Sequence, residues 1–147
     1  MLNATQSLKS GLALNPATVN SDGVLTGLAI DLSEMVGGEG ILSLLIFSGA
    51  RTGGDFTLQD VQMSKVSDFS SDVITINSTS IEHFVPKAAN GLLQTKIDAA
   101  NTIKKIGVHL TQSEADYRYA RLRLIGANGA HMVIGAIYQF LPIKQPI

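Results

Sequence analysis

The sequence contains no cysteine and no tryptophan. Without cysteine, the protein has no disulfide bonds, no thiolate zinc site and no thiol nucleophile, and it suits a reducing compartment or a particle that assembles inside one. Charged residues are also scarce, at 16% of the chain, where about 25% is typical of a soluble domain. A surface with so few charges predicts that part of it contacts other protein molecules.

Long apolar runs and a strong net charge are absent as well. The longest apolar run, residues 41–47, is far shorter than the roughly 20 residues that a membrane-spanning helix needs. The N-terminal segment has no basic opening followed by an unbroken apolar run, so it does not predict a secretory signal. The formal net charge is −1, whereas nucleic acid or an acidic membrane calls for a clearly basic surface. We therefore expect a soluble protein that binds neither nucleic acid nor membrane.

The sequence also lacks the motifs of common catalytic and metal sites. Its three histidines, His83, His109 and His131, are far apart, and none has a second ligand close to it along the chain. No GxSxG motif is present, and acidic pairs such as Asp55 with Asp60 lie in or beside predicted loops, where solvated carboxylates are normal. We predict that the protein is not an enzyme and that it has no metal site and no cofactor.

Short apolar segments, separated by glycine, serine, threonine and asparagine, make up most of the chain. This pattern is typical of many short β-strands joined by turns. A chain of 147 residues fits a single domain, which we assign to residues 17–147. Residues 1–16 end in Asn15-Pro16 and are interpreted as an extended N-terminal arm. Residues 91–101 fit a short helix or turn, with a strand as the alternative. The eight predicted strands cover residues 17–20, 24–32, 41–48, 56–66, 73–77, 103–110, 117–125 and 132–141.

Several of these segments shape the predicted fold. Residues 24–32 are apolar at every second position, so one side of that strand is apolar. Residues 41–48 are apolar on both alternations, as expected of a central strand covered on both sides. The loop at residues 49–55 and the Asn128-Gly129 pair predict β-hairpins. Strands this short need a second layer, so we predict an antiparallel β-sandwich, for which immunoglobulin-like and jelly-roll arrangements both fit.

The return strand, residues 56–66, is predicted to be partly exposed. Simple alternation places Phe56 and Leu58 on one side and Val61 and Met63 on the other. Each side of this strand therefore carries both apolar and polar residues.

The segment RYARLRLIG, residues 118–126, combines three arginines with large aliphatic side chains. Alternation places Leu122 and Leu124 on the core side and Arg121 and Arg123 together on the outer face, beside tyrosines. Tyrosine and arginine are enriched at protein interfaces. Three interpretations of this face remain: a solvated surface with arginine stems over tyrosine rings, a contact with a subunit or partner, and a nucleic-acid patch that the surrounding charge does not support.

Three stretches of the chain carry a resemblance to a known family. They are ALNPATVNSDGVLTGLAIDL, SGARTGGDFTLQDVQMSKVSDFSSD and IKKIGVHLTQSEADYRYARLRLIGANGAHMVIGAIYQFLP. In this order they resemble small head proteins of tailed phages, of the decoration or cement type, over residues 13–142. The resemblance implies a jelly-roll-like β-sandwich without catalytic residues that binds the outside of an icosahedral phage capsid and bridges its subunits.

The resemblance also implies partners and a location. The expected partner is the major capsid protein, and the expected location is the exterior of the virion capsid, after synthesis in the host cytoplasm. The protein is also expected to self-associate as a dimer or trimer. We expect contacts from residues 2–14 of the arm and from a basic strip. The basic strip comprises Lys104, Lys105, Arg118, Arg121 and Arg123, and Tyr119 is predicted to take part in the same contact. The alternative function is a carbohydrate- or receptor-binding β-sandwich module of a virion or tail, although the lack of tryptophan speaks against a sugar site.

Overall fold

The computed structural model describes residues 9–32, 39–77, 84–85, 96–110 and 117–143. Within these ranges the protein consists of β-strands, and no described helix is long and apolar enough to cross a membrane. All strand pairs are antiparallel, which confirms the predicted all-β class. The strands are β1 (Lys9–Asn20), β2 (Gly23–Thr26), β3 (Ile30–Asp31), β4 (Glu39–Ser64), β5 (Val73–Asn77), β6 (Phe84–Val85), β7 (Lys96–Ile97), β8 (Ile103–Leu110) and β9 (Tyr119–Ile143).

Two long strands, β4 and β9, organise the fold, because they pair along their length and each changes its other neighbours halfway. The first half of β4 and the second half of β9 pair with each other, with β8 beyond β4, β1 beyond β9 and β6 beyond β8. We call this group sheet 1. The second half of β4 and the first half of β9 form sheet 2 together with β2, β3, β5 and β7.

The two sheets face each other across one hydrophobic core. Leu42, Leu44 and Ile46 of sheet 1 belong to the same buried cluster as Leu58 and Leu122 of sheet 2. Fully burying side chains of this kind stabilises the fold by about 1.5–3 kcal/mol each. The molecule is therefore an antiparallel β-sandwich of jelly-roll-like class, as predicted. Strands β4 and β9 run through both layers.

The two predicted hairpins, at residues 49–55 and at Asn128-Gly129, are wrong. The chain continues there as β4 and β9, and both strands bend from sheet 1 into sheet 2. The pairing between them shifts register repeatedly across this corner. Gly54, Asn128 and Gly129 have φ angles of 70°, 60° and 76°. Because a tight hairpin and a sharp bend both need residues with positive φ, the same local signal accompanies either structure.

Side chains and close packing hold the corner in place. The Asp22 carboxylate accepts hydrogen bonds from the backbone N–H groups of Gly129 and Ala130, at 3.1 and 2.8 Å. The Arg51 guanidinium donates to the Gly54 carbonyl at 3.0 and 2.8 Å. A Cβ atom at Gly54 would lie 2.4 Å from the backbone of Ala130, so only glycine fits there.

Simple alternation fails in two of the predicted strands. In residues 24–32 the strand is interrupted, because the Gly27 N–H bonds to the Leu122 carbonyl and the chain bends before β3 begins. As a result Val24 is exposed while Ile30 is buried. In residues 56–66 a register shift between Leu58 and Asp60 reverses the alternation. The buried side chains therefore change from Phe56 and Leu58 to Val61 and Met63 across this bulge.

Two predictions concern segments at the margins of the described ranges. The boundary predicted after residue 16 falls inside β1, so residues 9–16 are part of sheet 1, and residues 1–8 lie outside the described residues. For the helix or turn predicted at residues 91–101, the structure describes residues 96–101, which form β7 and a turn. The preceding residues 91–95 lie outside the described part of the chain.

Candidate protein-binding surface

The basic strip predicted from the sequence is divided between the two sheets. Arg118, Tyr119, Arg121 and Arg123 lie at or near the start of β9, in sheet 2. Lys104 and Lys105 lie on β8, in sheet 1. The structure therefore does not bring these six residues together on one surface.

Arg123 is paired with a buried carboxylate. Its Nε and Nη2 atoms donate to the two Asp60 carboxylate oxygens at 2.7 and 2.5 Å. The bulge in β4 places Asp60 directly opposite Arg123 on the outer face of sheet 2. The hydrogen bond to Asp60 raises the pKa of the Arg123 guanidinium. Since only 4% of the Asp60 side chain is exposed, Arg123 serves to neutralise a charge that the fold has removed from water.

Arg121 is covered by its own chain. Its Nε donates to Gln62 Oε1 at 2.9 Å, and its guanidinium carbon lies 4.2 Å from the centre of the Phe69 ring. Phe69 is buried and belongs to the connection between β4 and β5. The Ser64 hydroxyl, which donates to the Ser71 carbonyl at 2.7 Å, fixes this connection against the sheet. The second arginine of the outer face is thus also engaged within the molecule.

Arg118 and Tyr119 form the exposed end of this cluster. The Arg118 guanidinium donates to both carboxylate oxygens of Asp31 at 3.1 Å and lies 5.3 Å from the centre of the Tyr119 ring. The hydrogen bond and the charge of Asp31 raise the pKa of Arg118. Four residues of the predicted contact therefore already have partners in their own chain.

Lys104 and Lys105 differ from the arginines, because neither forms an ion pair with any residue in the described ranges. Both side chains are exposed. Lys105 lies opposite Leu45, and Lys104 lies opposite the buried Ile46. Because successive residues of a strand point to opposite faces, Lys105 lies on the outer face of sheet 1 and Lys104 on the inner side at its edge.

The outer face of sheet 1 carries a set of apolar side chains, which we call the apolar face. Sequence alternation and strand register place its members on four adjacent strands, β1, β9, β4 and β8. Ile103 is 67% exposed, Leu12 is 46% exposed, and Ile137 and Leu141 are each 40% exposed. The other members are half-buried. The apolar face consists of Leu12, Ile41, Leu45, Phe47, Ile103, Val133, Ile137 and Leu141.

The sequence contained a signal for this face, and the interpretation of that signal needs correction. Residues 41–48 were predicted to be covered on both sides because they are apolar on both alternations. They are central, but only Leu42, Leu44, Ile46 and Ser48 are buried, while the alternate side chains are partly exposed. The apolar character of the second side therefore marks an accessible surface.

The apolar face contains few groups that could do chemistry. Ser43, Gln139, His109 and Lys105 are among the polar side chains on or beside it. Across the described ranges, no group of three or more histidine, cysteine, aspartate or glutamate residues is arranged to hold a metal ion. The arrangement is suited to burying apolar surface against another macromolecule.

Comparisons with known proteins yield weak structural similarity alone. No family model and no curated protein matches the chain. The chain is similar to the CBM22-1 and GH10 modules of the Clostridium thermocellum xylanase 10B, with 7% identity, a TM-score of 0.40, and coverage of 96% of this chain and 27% of that one. It therefore spans about a quarter of that protein's length.

Two further similarities are of the same strength. The K1 cleaved adhesin domain of Lys-gingipain from Porphyromonas gingivalis W83 has 15% identity and a TM-score of 0.38, with coverage of 92% of this chain and 73% of that one. VP2 of the infectious bursal disease virus subviral particle has 11% identity and a TM-score of 0.33, with coverage of 95% and 42%. Identities and TM-scores this low assign the chain to none of these families.

Proposed function

We propose that the protein is a structural component of a tailed-phage virion that binds the outer surface of the icosahedral capsid and stabilises it by bridging capsid subunits. The observation that carries the binding role is the apolar face of sheet 1. The capsid as partner, and the major capsid protein in particular, is supported by the sequence resemblance to phage decoration proteins.

The physical basis of such a role is linkage. A protein that binds across subunit boundaries of an assembled shell, and not to separated subunits, stabilises the assembled state in the way that a ligand stabilises a folded protein. A β-sandwich with an accessible apolar sheet face and few surface charges is suited to such a contact. This role needs no catalytic residue.

The proposal can be tested by measuring whether the purified protein binds to heads that lack it. Heads of the virus that encodes this chain, prepared without the protein, would be mixed with purified protein, separated by sedimentation and analysed for bound copies per shell. We expect saturable binding at a fixed ratio to the major capsid protein and a higher temperature of head disruption. Virions that contain no copy of this protein, or heads that bind none, would contradict the proposal.

The alternative function, a carbohydrate- or receptor-binding module, has less support from the described residues. Sugar sites present aromatic rings beside polar groups, but each tyrosine of the protein is already engaged. The Lys65 ammonium lies 5.4 Å from the centre of the Tyr117 ring, Arg118 lies over Tyr119, and Tyr138 is buried. Glycan-array binding that is lost on replacing Tyr119 with alanine would favour this alternative.

A further inference from the structure

We infer that Asn128-Gly129 is a site of spontaneous deamidation, and that the corner between the two sheets controls how fast it reacts. In this inference Asp22 keeps the corner closed against the reaction, and Asp55 is the group that the product repels. The inference goes beyond the proposed function and does not depend on it, because every step involves residues of this chain and water.

The reaction follows from the chemistry of an asparagine that precedes glycine. The Gly129 backbone nitrogen bonds to Cγ of Asn128 and loses its proton, and the Cγ–Nδ2 bond breaks, so that ammonia leaves and a cyclic succinimide forms. Water then opens this ring at either carbonyl, which gives aspartate or isoaspartate at position 128. Glycine favours ring closure because it has no Cβ to obstruct the attacking nitrogen. Both residues of the pair are exposed to the water that the second step consumes.

The fold binds both reacting groups to carboxylates. The Gly129 N–H donates to Asp22 at 3.1 Å, and the neighbouring Ala130 N–H donates to it at 2.8 Å. The leaving group, Nδ2 of Asn128, donates to the Asp55 carboxylate at 2.8 Å. Because the nitrogen of Gly129 carries no proton in the succinimide and Nδ2 departs, the reaction breaks both of these hydrogen bonds. It therefore requires a local opening of the corner, which charge-assisted hydrogen bonds make rare.

The product should weaken the same corner. Hydrolysis to aspartate replaces the donating amide of Asn128 with a carboxylate that faces Asp55. Asp55 is 7% exposed, and the Lys96 ammonium lies 3.7 Å from its carboxylate. Two carboxylates this close repel each other, and burial strengthens the repulsion. Isoaspartate in addition lengthens the backbone where Gly54 packs so tightly on Ala130 that a Cβ would lie 2.4 Å away.

The first experiment compares the folded protein with the protein in guanidinium chloride. Both samples are kept at mildly alkaline pH, and aspartate and isoaspartate at position 128 are followed by mass spectrometry of peptides. The sequence contains a second such pair, Asn90-Gly91, which serves as the reference in denaturant because glycine follows both asparagines. We expect both pairs to react at similar rates in denaturant, and Asn128 to react at least about tenfold more slowly in the folded protein.

Two results of this comparison would overturn the inference. Equal rates at Asn128 with and without denaturant would show that the corner does not control the reaction. An unreactive Asn128 in denaturant, beside a reactive Asn90, would show that the pair is not a deamidation site.

The second experiment removes the acceptor of the Gly129 N–H. Asp22→Ala should raise the rate at Asn128 in the folded protein about tenfold, the factor that a hydrogen bond to a charged group contributes to closure. Asp22→Ser keeps an acceptor oxygen and should restore part of the protection, and it replaces Asp22→Ala if that variant fails to fold. Asp98→Ala removes the same charge from an exposed position after β7 and should leave the rate unchanged.

Arg123→Ala separates local opening from unfolding of the whole protein. It breaks the ion pair with Asp60, outside the corner, and lowers the global stability. At a temperature where circular dichroism shows both variants folded, Asp22→Ala should react faster at Asn128 than Arg123→Ala does. Equal acceleration would show that the reaction follows global unfolding, and a slower reaction in Asp22→Ala would show that this carboxylate acts as a base. Either result overturns the protective role of Asp22.

The third experiment imitates the product. Asn128→Asp places a carboxylate beside Asp55, whereas Asn128→Gly removes the amide without adding charge and tolerates the φ of 60°. We expect Asn128→Asp to unfold at a lower urea concentration than Asn128→Gly, because only the former adds a like charge. If Asn128→Asp is at least as stable as Asn128→Gly, the repulsion assigned to Asp55 is wrong.

Discussion

The outer faces of the two sheets differ in how far their side chains are already satisfied. On sheet 2, Arg123 is bound to Asp60, Arg121 lies between Gln62 and Phe69, and Arg118 is bound to Asp31. On sheet 1, the side chains of the apolar face extend toward solvent. The arginines of sheet 2, whose residue type suggested an interface, thus bind partners within the fold. The aliphatic residues of the apolar face remain accessible.

The difference has an energetic origin. A buried carboxylate such as Asp60 is tolerated only when it is paired, so the arginine beside it is a structural requirement. Exposed aliphatic side chains cost the isolated molecule little, and they contribute binding energy when a partner removes them from water. A cluster of arginines is therefore informative about binding only after its internal partners are known.

The largest expected effect concerns the corner that joins the two sheets. Gly54→Ala forces a side chain into a backbone with φ of 70° and places Cβ 2.4 Å from the Ala130 backbone. Strain and overpacking together should destabilise the fold by about 4 kcal/mol, measured by urea unfolding. Gly53→Ala is the matched control, because its Cβ would meet only the Gly129 carbonyl oxygen at an ordinary 3.7 Å. Equal stability of the two variants would contradict the close approach of Gly54 to the Ala130 backbone.

The next effect separates structural from exposed arginines. Arg123→Ala leaves the buried Asp60 without its partner and should lower the free energy of unfolding by about 3 kcal/mol. Arg118→Ala removes an exposed ion pair with Asp31 and should cost much less, because solvent screens the two charges. Denaturant unfolding of both variants at one pH measures the difference. Equal costs of the two substitutions would show that Asp60 depends on Arg123 no more than Asp31 depends on Arg118.

A smaller effect tests whether Phe69 covers Arg121. Arg121→Ala removes the contact with the Phe69 ring and the hydrogen bond to Gln62, and should destabilise the protein by about 1–2 kcal/mol. Lys65→Ala, which removes the contact of an exposed lysine with Tyr117, serves as the control and should cost less than about 0.5 kcal/mol. Thermal unfolding of both variants, compared with the wild type, decides the point.

The smallest effect on stability belongs to sheet 1. Because Ile137 is already 40% exposed, Ile137→Glu should change the free energy of unfolding by no more than about 0.5 kcal/mol. The substitution would then be silent in urea unfolding although it lies at the centre of the apolar face. A loss of several kcal/mol would show that Ile137 belongs to the core.

Alternation in the sequence predicted local features well. The buried side of residues 120–124 and the central position of residues 41–48 are confirmed, because burial on one side of a strand imposes a period of two. The bulge between Leu58 and Asp60 also has a signal in the sequence. Apolar residues change from Phe56 and Leu58 to Val61 and Met63 within one strand, and such a switch indicates an extra residue in the ladder.

Features that depend on distant parts of the chain could not be predicted. Asn128-Gly129 has the positive φ of a hairpin turn, but its strand pairs with β4, far away in sequence. The arginine partners are just as remote: Asp60 is separated from Arg123 by 63 positions, and Asp31 from Arg118 by 87. Periodicity reports which side of a strand is apolar, and it does not report what lies over that side.

The most direct test of the central claim is a cryo-electron microscopy structure of heads decorated with this protein. We predict that sheet 1 faces the shell, with Ile137 and Leu45 buried in the contact. Sheet 2 should face away from the shell and keep its Arg123 pair with Asp60. A structure in which the arginines of sheet 2 contact the shell, and the apolar face remains open to solvent, would contradict the account.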